Sequence, residues 1–121
     1  MSDERRRFNR LPSDLHVRLN YSGESHACRT RDLGMGGMSL DTPLVLDFGT
    51  HVDFEIELPT TGMTVRGEGE VRWGRASGTE STGLGVAFGA LKPIDVWYLI
   101  QHFKALEEQT GEPLVKQFTG G

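Results

Sequence analysis

A chain of 121 residues fits one domain and leaves no room for two. Its net charge of −4 argues against a dedicated nucleic-acid binder, and no apolar run is long enough to span a bilayer. The only cysteine, Cys28, excludes an intramolecular disulfide and suits a reducing compartment, so a cytoplasmic protein is expected, with Cys28 as a small buried apolar residue.

The first ten residues are polar and charged and lack the apolar stretch of a signal peptide. Arg5, Arg6, Arg7 and Arg10 cluster there on an otherwise acidic chain, and Phe8 is almost the only apolar residue among them. Residues 1–14 therefore read as a flexible arginine-rich arm that burial cannot order. From Leu15 to Tyr21, Leu15, Val17, Leu19 and Tyr21 alternate with polar residues, which predicts a half-buried strand. Ser22-Gly23 breaks it, and a second strand follows from about Ser25 to Leu33. The cluster Gly34-Met35-Gly36-Gly37 leads into a short apolar stretch around Met38 and Leu40.

Val52, Phe54, Ile56 and Leu58 alternate with Asp53, Glu55 and Glu57, the clearest strand pattern in the chain. Pro59 to Gly62 is a turn. Met63, Val65, Val71 and Trp73 then share a phase with Gly67 and Gly69, glycines that leave space or permit a sharp bend. Leu84, Val86 and Phe88 mark the last strand. The period changes at Val96, Leu99, Ile100, Phe103 and Leu106, an amphipathic helix starting near Pro93 and stopping by about Gly111. Residues 15–109 thus predict an all-β antiparallel barrel with a C-terminal α-helix over one opening, followed by a loose tail over 110–121.

No catalytic constellation stands out, and no enzyme is expected. His16, His26, His51 and His102 lack metal-ligand spacing, and Asp53, Glu55 and Glu57 fall on the outer, solvated strand face. Gly34 to Gly37 lacks the lysine and following helix of a P-loop, and there is no Gly-x-Ser-x-Gly. Two features carry chemistry together. Arginine forks bind phosphate oxygens and the O6/N7 edge of guanine, and their planes stack on bases. Asp32, beside flexible glycines, can accept from guanine N1 and N2. Each alone reads as a solvated polybasic tail or a plain glycine turn. Combined, they make a guanine-nucleotide site chemically complete.

Arg6-x-x-x-Arg10 with Asp32-x-Gly34-x-x-Gly37 resembles the two-part pattern of PilZ domains, Arg-x-x-x-Arg and then Asp or Asn-x-Ser-x-x-Gly. DLGMGGMSL (Asp32 to Leu40) resembles the end of that family's second strand, and GLGVAF (Gly83 to Phe88) its final strand. The resemblance spans about Glu4 to Leu106 and implies a six-stranded antiparallel PilZ-type β-barrel with a C-terminal helix. It implies a non-enzymatic bacterial receptor whose ligand is cyclic di-GMP, with no cofactor and no metal. Arg6 and Arg10 would grip phosphates and the guanine Hoogsteen edge, Asp32 the other edge, and Gly37 would leave room for the ligand. Arg5 before the first motif arginine would favour a stacked pair of ligand molecules. Trp73 and Arg75 match ligand-contacting positions of some single-domain members, although the phase of Trp73 equally suits a core residue. Gly34 stands where the family has serine, a lost hydrogen bond worth roughly 0.5–1.5 kcal/mol, or about three- to tenfold in affinity. The expected mechanism is an arm that orders over the barrel on binding and signals to an effector protein, with no nucleic-acid partner and no membrane insertion. The alternative is a PilZ-like adaptor of pilus or motility components that has lost the nucleotide.

Overall fold

The computed structural model describes residues 10–74 and 83–110. They form β1 (Leu11–Pro12), β2 (His16–Tyr21), β3 (Glu24–Leu33), β4 (Gly37–Asp41), β5 (His51–Leu58), β6 (Met63–Gly74), β7 (Leu84–Phe88) and α1 (Pro93–Thr110). The strand order is β1-β3-β2-β5-β6-β7-β4, and β3 pairs again with β4. That second pairing closes β2 to β7 into a six-stranded antiparallel barrel, with β1 as an extra strand outside the ring.

Local chemistry sets the register. Ser22 and Gly23 both take positive φ, 55° and 80°, between the opposed residues Tyr21 and Glu24. Two left-handed residues in a two-residue loop give a hairpin whose twist matches that of its strands. Period-two alternation then turns Val17, Leu19, Val52, Phe54, Ile56 and Leu58 into the barrel, where Leu33, Met38, Leu40, Val65, Leu84 and Val86 meet them. Cys28 is buried among them, and desolvation pushes its thiol pKa up. The space at Gly67 and Gly69 is occupied. A Cβ on Gly67 would lie 2.5 Å from Leu91 Cδ2 and 2.9 Å from Phe54 Cζ, and one on Gly69 would lie 2.7 Å from Val86 Cγ1. Glycine there lets large side chains cross the strand.

α1 packs along β6. Leu99 and Phe103 are buried, and Leu106 packs against the core. The buried carboxylate of Asp95 accepts from the backbone N–H of Arg66 on β6 at 3.0 Å. At the far end of the β5–β6 hairpin, Thr60 Oγ1 and His102 Nδ1 are hydrogen-bonded at 2.7 Å. Burial lowers the pKa of His102.

The structure decides between the two options for Trp73 and departs from the sequence reading at the arm. Trp73 is exposed although Val65 and Val71 in its phase are buried, because a register shift between Val71 and Trp73 reverses the facing of the strand end. Within the segment read as an arm, residues 10–14 are tied to β3. Leu11 opposes Leu33 and Pro12 opposes Asp32, Ser13 N–H donates to the Arg31 carbonyl at 2.9 Å, and the Ser13 and Thr30 hydroxyls are 2.7 Å apart. Pro12 suits an edge strand, where one N–H fewer costs nothing. Residues 1–9 and 111–121 lie outside the described residues.

Candidate functional site

Asp32 opposes Ser39 across β3 and β4, Ser39 opposes Gly85 across β4 and β7, and Gly85 opposes Trp73 across β7 and β6. Directly opposed residues share a sheet face, and Leu33, Met38, Leu40, Leu84 and Val86 are turned inward, so this row lies on the outer face. Trp73 stands three strands from Asp32, about 14 Å measured around the barrel wall. β1 delivers Arg10 to the Asp32 end of the row.

The Arg10 guanidinium binds two members of the row with one nitrogen. Nη1 donates to Asp32 Oδ1 at 2.8 Å and to Ser39 Oγ at 3.0 Å. The two charged side chains are 32% and 33% exposed, and Ser39 is 5% exposed beneath them. Both hydrogens of Nη1 are thus used. Among the described residues, Nε and Nη2 of Arg10 and Oδ2 of Asp32 keep their hydrogen-bonding capacity unused. The pair presents a donor edge and an acceptor side by side on an accessible face.

The glycines shape this face from below. A Cβ on Gly37 would stand 2.6 Å from the Val86 carbonyl oxygen and 3.4 Å from Arg10 Nη2. Any side chain at Gly37 would therefore strike the β7 backbone, and glycine there lets Arg10 lie close over the strand. Gly34 N–H donates to the Gly37 carbonyl at 2.9 Å and Phe88 N–H to that of Gly36 at 2.9 Å, which locks the turn to β7. Gly34 is buried and is not among the described residues with positive φ. At the other end of the row, a Cβ on Gly85 would run into the Trp73 indole. Glycine there lets the ring, 40% exposed, lie on the sheet.

Of the residues expected at a site, Arg10, Asp32, Gly34 and Gly37 come together at one end of the face and Trp73 stands at the other. Arg5, Arg6 and Arg75 lie outside the described residues. Ser39 and Gly85 escaped the sequence reading. The inward phase of Met38 and Leu40 was a signal that Ser39 faces out; only the register places it against Arg10.

An open groove of about 950 Å³ lies over β5, β6 and the start of α1. Carboxylates outnumber cations in its lining. Asp53, Glu55, Glu68 and Glu70 face it, and Arg66 and Arg72 are already ion-paired with Glu55 and Glu70. An anion is better served on the Arg10 face. Among the described residues no cluster of three metal-ligating side chains occurs.

The family model of the PilZ domain matches residues 4–105. The chain belongs to the PilZ family. Solved structures share this PilZ fold at low identity. The Bacillus subtilis inhibitor of motility MotI is 17% identical with a TM-score of 0.70, over 85% of this chain and 50% of that one. The PilZ domain of CeSA from a cellulose-synthesising bacterium is 20% identical with a TM-score of 0.59, over 81% and 97%. The PilZ domain of Escherichia coli YcgR, solved with c-di-GMP, is 15% identical with a TM-score of 0.61, over 84% and 94%. This PilZ chain spans about half the length of the Bacillus protein, and the likeness to all three is one of fold. Comparison with curated proteins gives no match.

Proposed function

We propose that this PilZ domain is a non-enzymatic receptor for cyclic di-GMP in the bacterial cytoplasm. The observation that carries the reading is the Arg10–Asp32 pair, held by Ser39 and open to a ligand through Nε, Nη2 and Oδ2. The YcgR PilZ domain, solved with c-di-GMP, supports it. Arg10 serves a phosphate or the guanine O6/N7 edge, and Asp32 accepts from N1 and N2. Trp73 offers an exposed ring for base stacking. Arg6 closes on the phosphates from the arm, Arg5 favours a stacked second ligand, and Arg75 joins Trp73 in contacting the ligand. The arm ahead of β1, residues 1–9, folds over the barrel face as its charge is neutralised, and an effector protein reads the new surface.

The adaptor reading draws on two observations. Arg10 and Asp32 already satisfy each other in part without a ligand, and Gly34 lacks the family hydroxyl. Calorimetric titration decides between the two. We expect binding in the micromolar range or tighter, about −8 kcal/mol. Cyclic di-AMP should bind at least roughly a hundredfold more weakly, because adenine leaves the Asp32 carboxylate without its donors. No heat at near-millimolar cyclic di-GMP leaves the adaptor; equal affinity for both ligands means that Asp32 does not read the base.

A further inference from the structure

Asp32 has two claimants in the proposed receptor. Its Oδ1 already accepts from Arg10 at 2.8 Å, and guanine would ask for the same carboxylate. An arginine held by Asp32 alone would lose its anchor when the carboxylate turns to the base, and its long stem would swing free. Ser39 prevents that. Its hydroxyl accepts the second Nη1 hydrogen at 3.0 Å, and among the described residues it is the one hydroxyl bonded to Arg10. Met38 and Leu40 on either side are fully buried, and β4 pairs with both β3 and β7, so the hydroxyl is fixed to the rigid part of the barrel. It is uncharged, so it does not repel a ligand phosphate that approaches Arg10 through Nε and Nη2.

We propose that Ser39 is a positioning residue for ligand binding: it keeps the Arg10 guanidinium on the sheet face while Asp32 exchanges Arg10 for the guanine edge. The inference rests on the cyclic di-GMP reading above. Ser39 acts through Arg10, so its effect must vanish when Arg10 is removed.

The test is calorimetric titration of cyclic di-GMP into the unsubstituted chain, Ser39→Ala, Ser39→Thr, Arg10→Ala and the double variant Arg10→Ala/Ser39→Ala, each with its thermal melt. Ser39→Ala should weaken binding about five- to tenfold with an unchanged melt, the scale of one net hydrogen bond. Ser39→Thr, which keeps the hydroxyl, should stay within about threefold of the unsubstituted chain. In the Arg10→Ala background the Ser39→Ala change should cost less than about twofold. Unchanged affinity of Ser39→Ala overturns the inference, as does an equal loss with and without Arg10. If Ser39→Ala melts too low to titrate, Ser39→Thr against Ser39→Val makes the same comparison of hydroxyl with methyl, and equal affinities overturn it. No binding by the unsubstituted chain removes the receptor reading and this inference together; indifferent Ser39 variants of a binding chain remove the inference alone.

Discussion

Gly34 N–H ties the turn to Gly37, and its φ is not positive, so this position demands glycine for no conformational reason. A serine there would meet no strain from the backbone φ and would bring a hydroxyl to the turn beside the Arg10 pair. Gly34→Ser is therefore expected to tighten cyclic di-GMP binding by roughly 0.5–1.5 kcal/mol with little change in melting temperature. Calorimetry beside a thermal melt checks it. A folded variant that binds no better would assign the difference to turn geometry and not to the missing hydroxyl. Residues whose spacing is fixed by a local motif were legible at this scale. Asp32, Gly34 and Gly37 belong to one turn, and Arg10 is paired with that turn by β1. Ser39 was not, because its partner comes from across the sheet and no local period announces it. The packing at Gly37 was hidden for the same reason: the atoms a Cβ would strike belong to β7, far away in sequence.

Elements show where period fails. The alternation through β5 runs unbroken and its outline follows directly from the residues, whereas β6 carries a register shift that turns Trp73 outward. A bulge adds one residue to one strand and leaves the residue types in phase, so composition cannot reveal it. β1 is two residues long and held by pairing with β3, with too few side chains to make a pattern. On α1 the stripe of Leu99, Phe103 and Leu106 was legible, but the polar contacts that seat the helix were not. His102, 2% exposed, joins the helix to the β5–β6 turn through Thr60. Burial lowers its pKa below the ordinary imidazole value of about 6.5. The unfolded chain therefore takes up this proton more readily than the folded one. The stabilisation is complete above about pH 6.5 and declines as pH falls below it toward the folded pKa. We expect the melting temperature to drop between pH 7 and pH 5, and to drop less in His102→Gln, whose amide can still meet Thr60. An identical drop in the variant would place the titrating group elsewhere.

At the scale of the whole molecule, a barrel closed by β3–β4 and covered along β6 by one helix follows from several short alternating strands and a final change of period. What the strand list cannot supply is the neighbour relation that sets Asp32, Ser39, Gly85 and Trp73 in one row, since closure is a property of the completed sheet. That row has a spectroscopic consequence. The chain has two tryptophans, Trp97 on α1 and Trp73, whose indole rests over Gly85 with its outer face to solvent. In Trp97→Phe the emission comes from Trp73 alone, at the far end of the face from Arg10. A guanine stacked on that indole should quench it and shift its spectrum, with saturation at the same ligand concentration as the calorimetric heat. Emission that stays constant while heat is released would put the bound ligand at the Arg10 end only. The turned-out strand end would then have given the domain a native fluorophore that its ligand never reaches.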